Sequence, residues 1–123
     1  MTKVILIVED EPKNLKLVGD LLRVSGYTTI EVTDGKQGVE LAKAKKPDLI
    51  LMDIQMPIMD GYSACLAIKT DKATGKIPVV MLTSVDHELN KEFAKRLGAD
   101  GYMTKPISHQ ALLDIINQFL PTS

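Results

Sequence analysis

Acidic side chains follow two short apolar runs in this chain. Asp53 ends the run Leu49–Met52, and Glu9 and Asp10 come directly after the run Val4–Val8. Runs of four or five aliphatic residues, rich in Val and Ile, are typical of strands that are buried on both faces, as in a parallel sheet covered by helices. Ligands of such sheets bind beyond the carboxyl ends of the strands, and neighbouring strands lie about 5 Å apart. The sequence therefore predicts that these carboxylates converge at one edge of a sheet.

A cluster of carboxylates calls for a cation, because like charges at one edge repel one another. The predicted ligands are all oxygens, with no His or Cys beside them in the sequence. Such a set suits a hard divalent ion, and the small number of protein ligands favours Mg²⁺ over Ca²⁺. We therefore expect a Mg²⁺ site, with Mn²⁺ as a substitute ion.

The bulk composition is that of one ordinary domain. The chain has 123 residues, with 15 basic and 16 acidic side chains and a net charge of −1. This balance gives no electrostatic reason to expect binding to nucleic acid or to a membrane surface. The single cysteine, Cys65, cannot form an internal disulfide, and no apolar stretch approaches the roughly 20 residues that span a bilayer. Because no charged-then-apolar leader precedes the first strand, we expect a cytoplasmic protein.

Strands and helices are predicted to alternate along the chain. A helical pattern follows each strand pattern, and the strand patterns cover residues 4–8, 28–32, 49–53, 79–83 and 101–105. Pro12 is expected to open the first helix, Asp34 with Gln37 has the capping-box pattern, and Asp86 can cap the fourth helix. The last helix should present one apolar face, formed by Ala111, Leu112, Ile115, Ile116 and Phe119. Five such units predict an α/β fold with a doubly wound, five-stranded parallel sheet of the flavodoxin-like (βα)5 type, with strand order 2-1-3-4-5.

The polar residues that end the strands form an ordered set: Glu9, Asp10, Asp53, Thr83 and Lys105. This arrangement resembles the receiver domain of bacterial two-component response regulators, over essentially the whole chain from Lys3 to about Phe119. Thr83 lies 30 residues after Asp53, and Lys105 lies a further 22 residues on, as in that family. The segments that carry the resemblance are Val8–Asp10, Asp53–Pro57 with Asp60 and Gly61, Leu82–Ser84, and Tyr102–Pro106.

The resemblance implies a role for each of these residues. The aspartate that matches Asp53 accepts a phosphoryl group and forms an acyl phosphate. Mg²⁺ would be held by Asp10, Asp53 and the main-chain carbonyl of Gln55, with Glu9 acting mostly through bound water. The family often has Asp-Asp where this chain has Glu9 and Asp10, a variation that should leave metal binding intact. Lys105 would supply positive charge to the phosphoryl oxygens.

The same resemblance implies a conformational switch. The hydroxyl of Thr83 would donate a hydrogen bond to the phosphoryl group, and Tyr102 would change rotamer as Thr83 moves. Gln55 and Val85 would flank the path by which water reaches the acyl phosphate and so tune its lifetime. We expect residues 1–123 to form a single receiver domain without an output domain.

The function implied is a phosphoacceptor signalling protein rather than an enzyme acting on other substrates. Its expected partners are a histidine kinase or histidine phosphotransfer protein and a downstream protein target. The chain itself is expected to be a monomer or a weak, phosphorylation-dependent dimer.

Three other functions fit parts of the pattern. A phosphatase of the haloacid dehalogenase type also uses an aspartate nucleophile, but it needs a second Asp two residues later, where this chain has Gln55. A flavodoxin-type electron carrier shares the topology, but the acidic loop after the first strand would repel a flavin phosphate. A pseudo-receiver that is not phosphorylated normally lacks the acceptor or the lysine, and both Asp53 and Lys105 are present.

Overall fold

The structure is a computed structural model that describes residues 2–83 and 88–120, with the backbone alone at 88–91. Its strands are β1 (Val4–Val8), β2 (Thr28–Val32), β3 (Leu49–Asp53), β4 (Val79–Thr83) and β5 (Gly101–Thr104). Its helices are α1 (Pro12–Val24), α2 (Gly35–Lys45), α3 (Gly61–Thr70), α4 (Glu88–Arg96) and α5 (His109–Phe119). All strand pairs are parallel, in the order β2-β1-β3-β4-β5, which confirms the predicted fold class and strand order.

Two apolar layers cover the two faces of the sheet. Alternate residues of each central strand point to opposite faces, so that Ile5 and Ile7 pack with α1 and α5, while Leu6 and Val8 pack with α2, α3 and α4. Every residue of β3 and β4 is buried, as their unbroken apolar runs predict. Strand β2, which has the alternating pattern, lies at the edge of the sheet and is partly exposed.

The helix starts largely follow the predicted capping signals. Pro12 lies in the first turn of α1, and the Asp34 carboxylate accepts a hydrogen bond from the Gln37 N–H at 2.8 Å. The Gln37 side chain accepts from the N–H of Thr33 at 3.3 Å rather than from that of Asp34, so the capping box is closed one residue earlier than its usual form. The proposed cap Asp86 lies outside the described residues.

Two expectations need correction. Ala111 is exposed, and the buried face of α5 is formed by Leu112 and Ile116, because the helix is rotated so that Ala111 points away from the sheet. Strand β5 ends at Thr104, so Lys105 lies one residue beyond it. That position places the lysine at the carboxyl edge of the sheet, where the acids also lie.

Candidate functional site

Strand register brings the predicted site residues to the same edge of the sheet. Val8 pairs with Met52, Asp53 pairs with Leu82, and Thr83 pairs with Thr104. Because the strands are parallel and end together, the residues that follow them come within reach of one another. The main chain closes the arrangement, since the Lys105 N–H donates a hydrogen bond to the Thr83 carbonyl oxygen at 2.6 Å.

Lys105 bridges two buried carboxylates. Its Nζ donates to Glu9 Oε1 at 2.7 Å and to Asp53 Oδ1 at 3.1 Å. Asp53 Oδ1 also accepts from the N–H of Ile54 at 2.9 Å. Glu9 is 1% exposed and Asp53 is 6% exposed, so these pairs are poorly screened by solvent and count for more than surface ion pairs. The arrangement holds an ionised carboxylate and a fixed positive charge side by side.

A third carboxylate completes an acidic cluster. Ligand oxygens of Glu9, Asp10 and Asp53 all lie within 4.8 Å of one another, and Asp10 is the exposed member. Glu9 Oε2 is buried and has no hydrogen-bond partner among the described residues. An unsatisfied buried carboxylate oxygen is unfavourable, and a cation would relieve it. The donor set, all oxygen and partly open to solvent, therefore fits Mg²⁺.

The surroundings of Asp53 and Lys105 change the pKa of both side chains. Burial raises the pKa of Asp53 to about 6, the hydrogen-bonded and charged neighbour Glu9 adds to this effect, and Lys105 opposes it. Burial alone would lower the pKa of Lys105, but its hydrogen bonds to Glu9 and Asp53 outweigh burial and the pKa is raised. The lysine is therefore firmly protonated, and Asp53 ionises at a higher pH than an ordinary aspartate does.

The loop that follows Asp53 is held closely against the site. The Gly61 N–H donates to the Ile54 carbonyl oxygen at 2.8 Å, which closes the segment 54–61 on itself. A side chain at Gly61 would overlap the Asp53 carbonyl oxygen, so glycine is needed for this approach. On the other side, the Gly35 N–H donates to the Met59 carbonyl oxygen at 3.0 Å, and a side chain at Gly35 would overlap that oxygen. The first turns of α2 and α3 thus hold this loop in place.

The tip of the same loop has an unfavourable backbone conformation. The Met59 N–H donates to the Pro57 carbonyl oxygen at 2.7 Å, and Ile58 between them has a φ of +68°. This is a γ-turn with positive φ at its centre, a rare and strained form. A left-handed conformation costs about 1–2 kcal/mol for a residue with a Cβ atom, and a β-branched residue is a clear outlier there. No pattern in the sequence predicts this turn.

Three of the four other residues named from the resemblance lie within the described part of the chain. Thr83 is buried at the end of β4, and Tyr102 is half-buried on β5. Tyr102 lies between two surface depressions, one shared with α4 and one shared with α5. Gln55 is exposed in the loop after Asp53. Val85 lies outside the described residues.

Comparison with known proteins decides the family. The model of the response regulator receiver domain family matches residues 5–117. The chain belongs to this family. Among its relatives, protein PilH of Pseudomonas aeruginosa is 40% identical over 116 residues, which cover 94% of this chain and 96% of PilH. The polar-differentiation response regulator DivK of Brucella ovis is 38% identical over 120 residues, which cover 98% of each chain.

Solved receiver structures share the whole architecture. The receiver domain of a Pseudomonas aeruginosa sensor histidine kinase superimposes with a TM-score of 0.91 at 32% identity, over 99% of this chain and 100% of that one. That structure has a magnesium ion coordinated in its active-site cleft. A chemotaxis response regulator of Vibrio cholerae gives a TM-score of 0.92 at 27% identity, over 98% of this chain and 100% of that one. Across the described ranges, no helix is both long and apolar enough to cross a membrane.

Proposed function

We propose that this receiver domain is a signalling switch that accepts a phosphoryl group on Asp53 from a phosphohistidine. The donor would be a histidine kinase or a histidine phosphotransfer protein. The observation that carries the proposal is the double ion pair of Lys105 with Glu9 and Asp53, set beside the cluster of three carboxylates. A structural ion pair would need neither the third acid nor the partnerless oxygen of Glu9.

The transfer would exchange one bond for another. A carboxylate oxygen of Asp53 attacks phosphorus, the P–O bond forms, and the P–N bond of the donor histidine breaks. The imidazole nitrogen keeps the electron pair and takes a proton from solvent. No general base is needed, because Asp53 is itself the nucleophile once it is ionised.

The other residues of the site would each interact with Mg²⁺ or with the phosphoryl group. Asp10 and Asp53, with the main-chain carbonyl of Gln55, would hold Mg²⁺, and Glu9 would act mostly through bound water; the ion when bound supplies positive charge for the phosphoryl oxygens. Lys105 would shift its hydrogen bond from Asp53 to a phosphoryl oxygen while keeping its ion pair with Glu9. The hydroxyl of Thr83 would donate to another phosphoryl oxygen.

The output would be a change of protein contacts. Movement of Thr83 toward the phosphoryl group would be coupled to the rotamer of Tyr102, which lies between α4 and α5 on the protein surface. A partner that binds this surface would therefore sense the acyl phosphate on the other side of β5. Because the phosphoryl group would come from ATP through a kinase, we propose the cytoplasm as the place of action.

Labelling with a small phosphodonor tests the proposal. Purified protein with acetyl phosphate and Mg²⁺ should incorporate one phosphoryl group, and the Asp53→Asn variant should incorporate none. Asp60→Asn is a matched control, because it removes a carboxylate from the same loop and asparagine still caps α3. Stoichiometric labelling of Asp53→Asn, or loss of labelling in Asp60→Asn alone, would contradict the assignment of the acceptor.

A further inference from the structure

The near balance of net charge conceals an uneven distribution of charge along the strands. The helices of this fold begin at the carboxyl edge of the sheet and end at the opposite, amino edge. Described acids at the carboxyl edge follow strands or cap helices, and they are Glu9, Asp10, Glu11, Asp34, Asp53 and Asp60. The amino edge carries five exposed lysines, here called the lysine patch: Lys3, Lys45, Lys46, Lys72 and Lys76. The domain is therefore acidic at the end that holds the candidate site and basic at the other end.

Three members of the lysine patch precede adjacent strands. Lys3 comes directly before β1, and Lys46 and Lys76 come shortly before β3 and β4. These strands lie side by side, and a hydrogen bond from the Asp48 N–H to the Val4 carbonyl oxygen, 2.8 Å long, joins the start of β1 to the segment before β3. Because three neighbouring strands span about 10 Å, the three lysines share one compact surface.

The other two members lie where helices end. Lys45 is the last residue of α2, and Lys72 lies in the turn that follows α3. An ion pair between Lys43 and Asp71, 3.3 Å long, joins these two helix ends. Other described acids at this end also have partners, and no member of the lysine patch forms an ion pair with a residue that the structure describes. The positive charge of the patch is therefore not neutralised within the described part of the chain.

Local stability does not explain the whole patch. Lys46 caps α2 with a φ of +44°, a left-handed conformation in which glycine is the usual residue. Positive charge at a helix C-terminus is favourable, but the last turn of α2 already holds two other lysines. Lys3 and Lys76 lie outside the helices altogether. The chain thus keeps positive charge at this end where the backbone does not require it.

An exposed apolar side chain borders the lysine patch. Val24, the last residue of α1, is 85% exposed, more than any other large apolar side chain that the structure describes. Four residues later, the Thr28 N–H donates to the Lys3 carbonyl oxygen at 3.0 Å, and four residues span at most about 14 Å. An apolar side chain beside positive charges is unfavourable in water, but it is favourable at a membrane interface, where basic and apolar groups are both accommodated.

We infer that the lysine patch and Val24 form a peripheral membrane-binding surface that takes the head groups of anionic lipids. A planar anionic membrane can meet all five lysines at once and attracts each of them. It repels the acidic end, so the domain would lie with its amino edge against the lipid and with Asp53 facing solution. With one apolar side chain and no arginine in the patch, attachment would be weak, reversible and sensitive to salt.

Nucleic acid fits this surface less well. The patch is built from strand starts, helix ends and turns, so it has no helix or strand of its own that projects into a groove. The lysines have no aromatic neighbour in the sequence that could stack on a base. A phosphate backbone also offers no apolar contact for Val24, whereas the interior of a lipid layer does.

Co-sedimentation with lipid vesicles tests the inference. In low salt, the wild type should bind vesicles that contain about one-third phosphatidylglycerol, and it should not bind vesicles of phosphatidylcholine alone. Each lysine at such a surface contributes about fivefold to binding, so a triple variant with Lys3→Gln, Lys46→Gln and Lys76→Gln should bind about a hundredfold more weakly. High salt should abolish the binding of the wild type, because it screens exposed charges.

A second triple variant is the matched control. Lys13→Gln, Lys16→Gln and Lys36→Gln together change the net charge by the same amount, but these exposed lysines lie in the first turns of α1 and α2, toward the acidic end. This variant should bind anionic vesicles as the wild type does, and both triple variants should keep the wild-type melting temperature. Val24→Ser should weaken binding about tenfold, and Val24→Leu should strengthen it by up to about fourfold, because it adds one CH₂ group to the apolar contact.

Three results would overturn the inference. The first is absence of wild-type binding to anionic vesicles in low salt; a DNA duplex or a second copy of the chain that binds the wild type but not the first triple variant would then be the partner instead. The second is equal weakening in the two triple variants, because net charge rather than the lysine patch would then decide binding. The third is wild-type binding by Val24→Ser, which would contradict the orientation of this end toward lipid. Acetyl phosphate labelling does not enter these measurements, so failure of the proposed function would leave this inference standing.

Discussion

Replacing Asp53 with asparagine should stabilise the protein in the absence of divalent cations. At neutral pH, wild-type Asp53 must hold a negative charge in a buried position beside Glu9, and its pKa is raised from 3.8 to about 6. Asparagine has nearly the same shape, and its side-chain oxygen can still accept hydrogen bonds from Ile54 and Lys105. The substitution therefore removes the charge repulsion with Glu9 and keeps the hydrogen bonds from Ile54 and Lys105.

The pKa of Asp53 sets the size of this effect. The difference between 3.8 and about 6 corresponds to about 3 kcal/mol of lost folding free energy once Asp53 is fully ionised. Some of this gain is offset, because Lys105 bonds a neutral amide less strongly than a carboxylate, so we expect a net gain of about 1–3 kcal/mol. For a chain of this length, 1 kcal/mol corresponds to about 4 °C in melting temperature.

The sign of the pH dependence follows from the raised pKa. Between pH 3.8 and about 6, the folded protein binds more protons at Asp53 than the unfolded chain does, so the stability of the wild type falls as the pH rises through this window. The Asp53→Asn variant has no titrating group at this position, so its stability does not fall in this way. The stability difference between variant and wild type should therefore be largest above pH 7 and should fall to about half at pH 5.

Thermal melts of wild type and Asp53→Asn in a chelating buffer at pH 7.5 and pH 5 measure the stability gain and its dependence on pH. Asp114→Asn serves as the control, because Asp114 is exposed on α5 and its replacement should change stability by less than about 0.5 kcal/mol. The reasoning is refuted if Asp53→Asn melts at or below the wild-type temperature at pH 7.5. It is also refuted if the difference does not shrink at pH 5.

Three other predictions concern the metal, the switch and the phosphate lifetime. Mg²⁺ in the millimolar range should raise the melting temperature of the wild type, and Asp10→Ala should weaken this effect by removing one ligand; equal Mg²⁺ shifts in both proteins would count against the site. Thr83→Ala should still be labelled by acetyl phosphate but should bind a downstream partner without dependence on phosphorylation, and normal dependence in a pull-down would contradict the coupling. Val85→Glu should lose its phosphoryl group faster than the wild type, because a carboxylate can orient a water that valine cannot; equal or slower decay of the labelled protein would disprove shielding by Val85.

The sequence predicted the fold and the common location of the candidate site residues for the same physical reason. Apolar runs that end in polar residues define both the buried strands and the edge at which they end, so Asp53, Thr83 and Lys105 could be placed together from their positions alone. The side-chain contacts within the site were harder to predict from the sequence. Glu9 was expected to act mostly through water, and the sequence gives no indication of its 2.7 Å contact with Lys105, because the two residues are 96 positions apart and side-chain direction decides whether they meet.

The loop after Asp53 shows what sequence patterns leave undetermined. The contact between Gly35 and Met59 depends on how α2 lies against the sheet, and no local sequence pattern determines that position. The Asp-Gly pairs at positions 34 and 60 could have signalled close backbone approach, although each also fits an ordinary helix start. The positive φ of Ile58 contradicts the preference of its side chain, so propensity alone predicts the wrong conformation. Conflicts of this kind are expected where function outweighs local preference.

The bridge from Lys105 to Glu9 and Asp53 also means that the site is completed late in synthesis, when only α5 remains to be made. The ribosome produces Glu9 near the start of the chain and Lys105 only after the other four strands have been made. Until β5 joins the sheet, the buried carboxylates of Glu9 and Asp53 lack the compensating charge of Lys105. Under the proposed function, phosphorylation would therefore require that the first, third and fifth strands have come together, so that an incompletely folded chain would not be labelled.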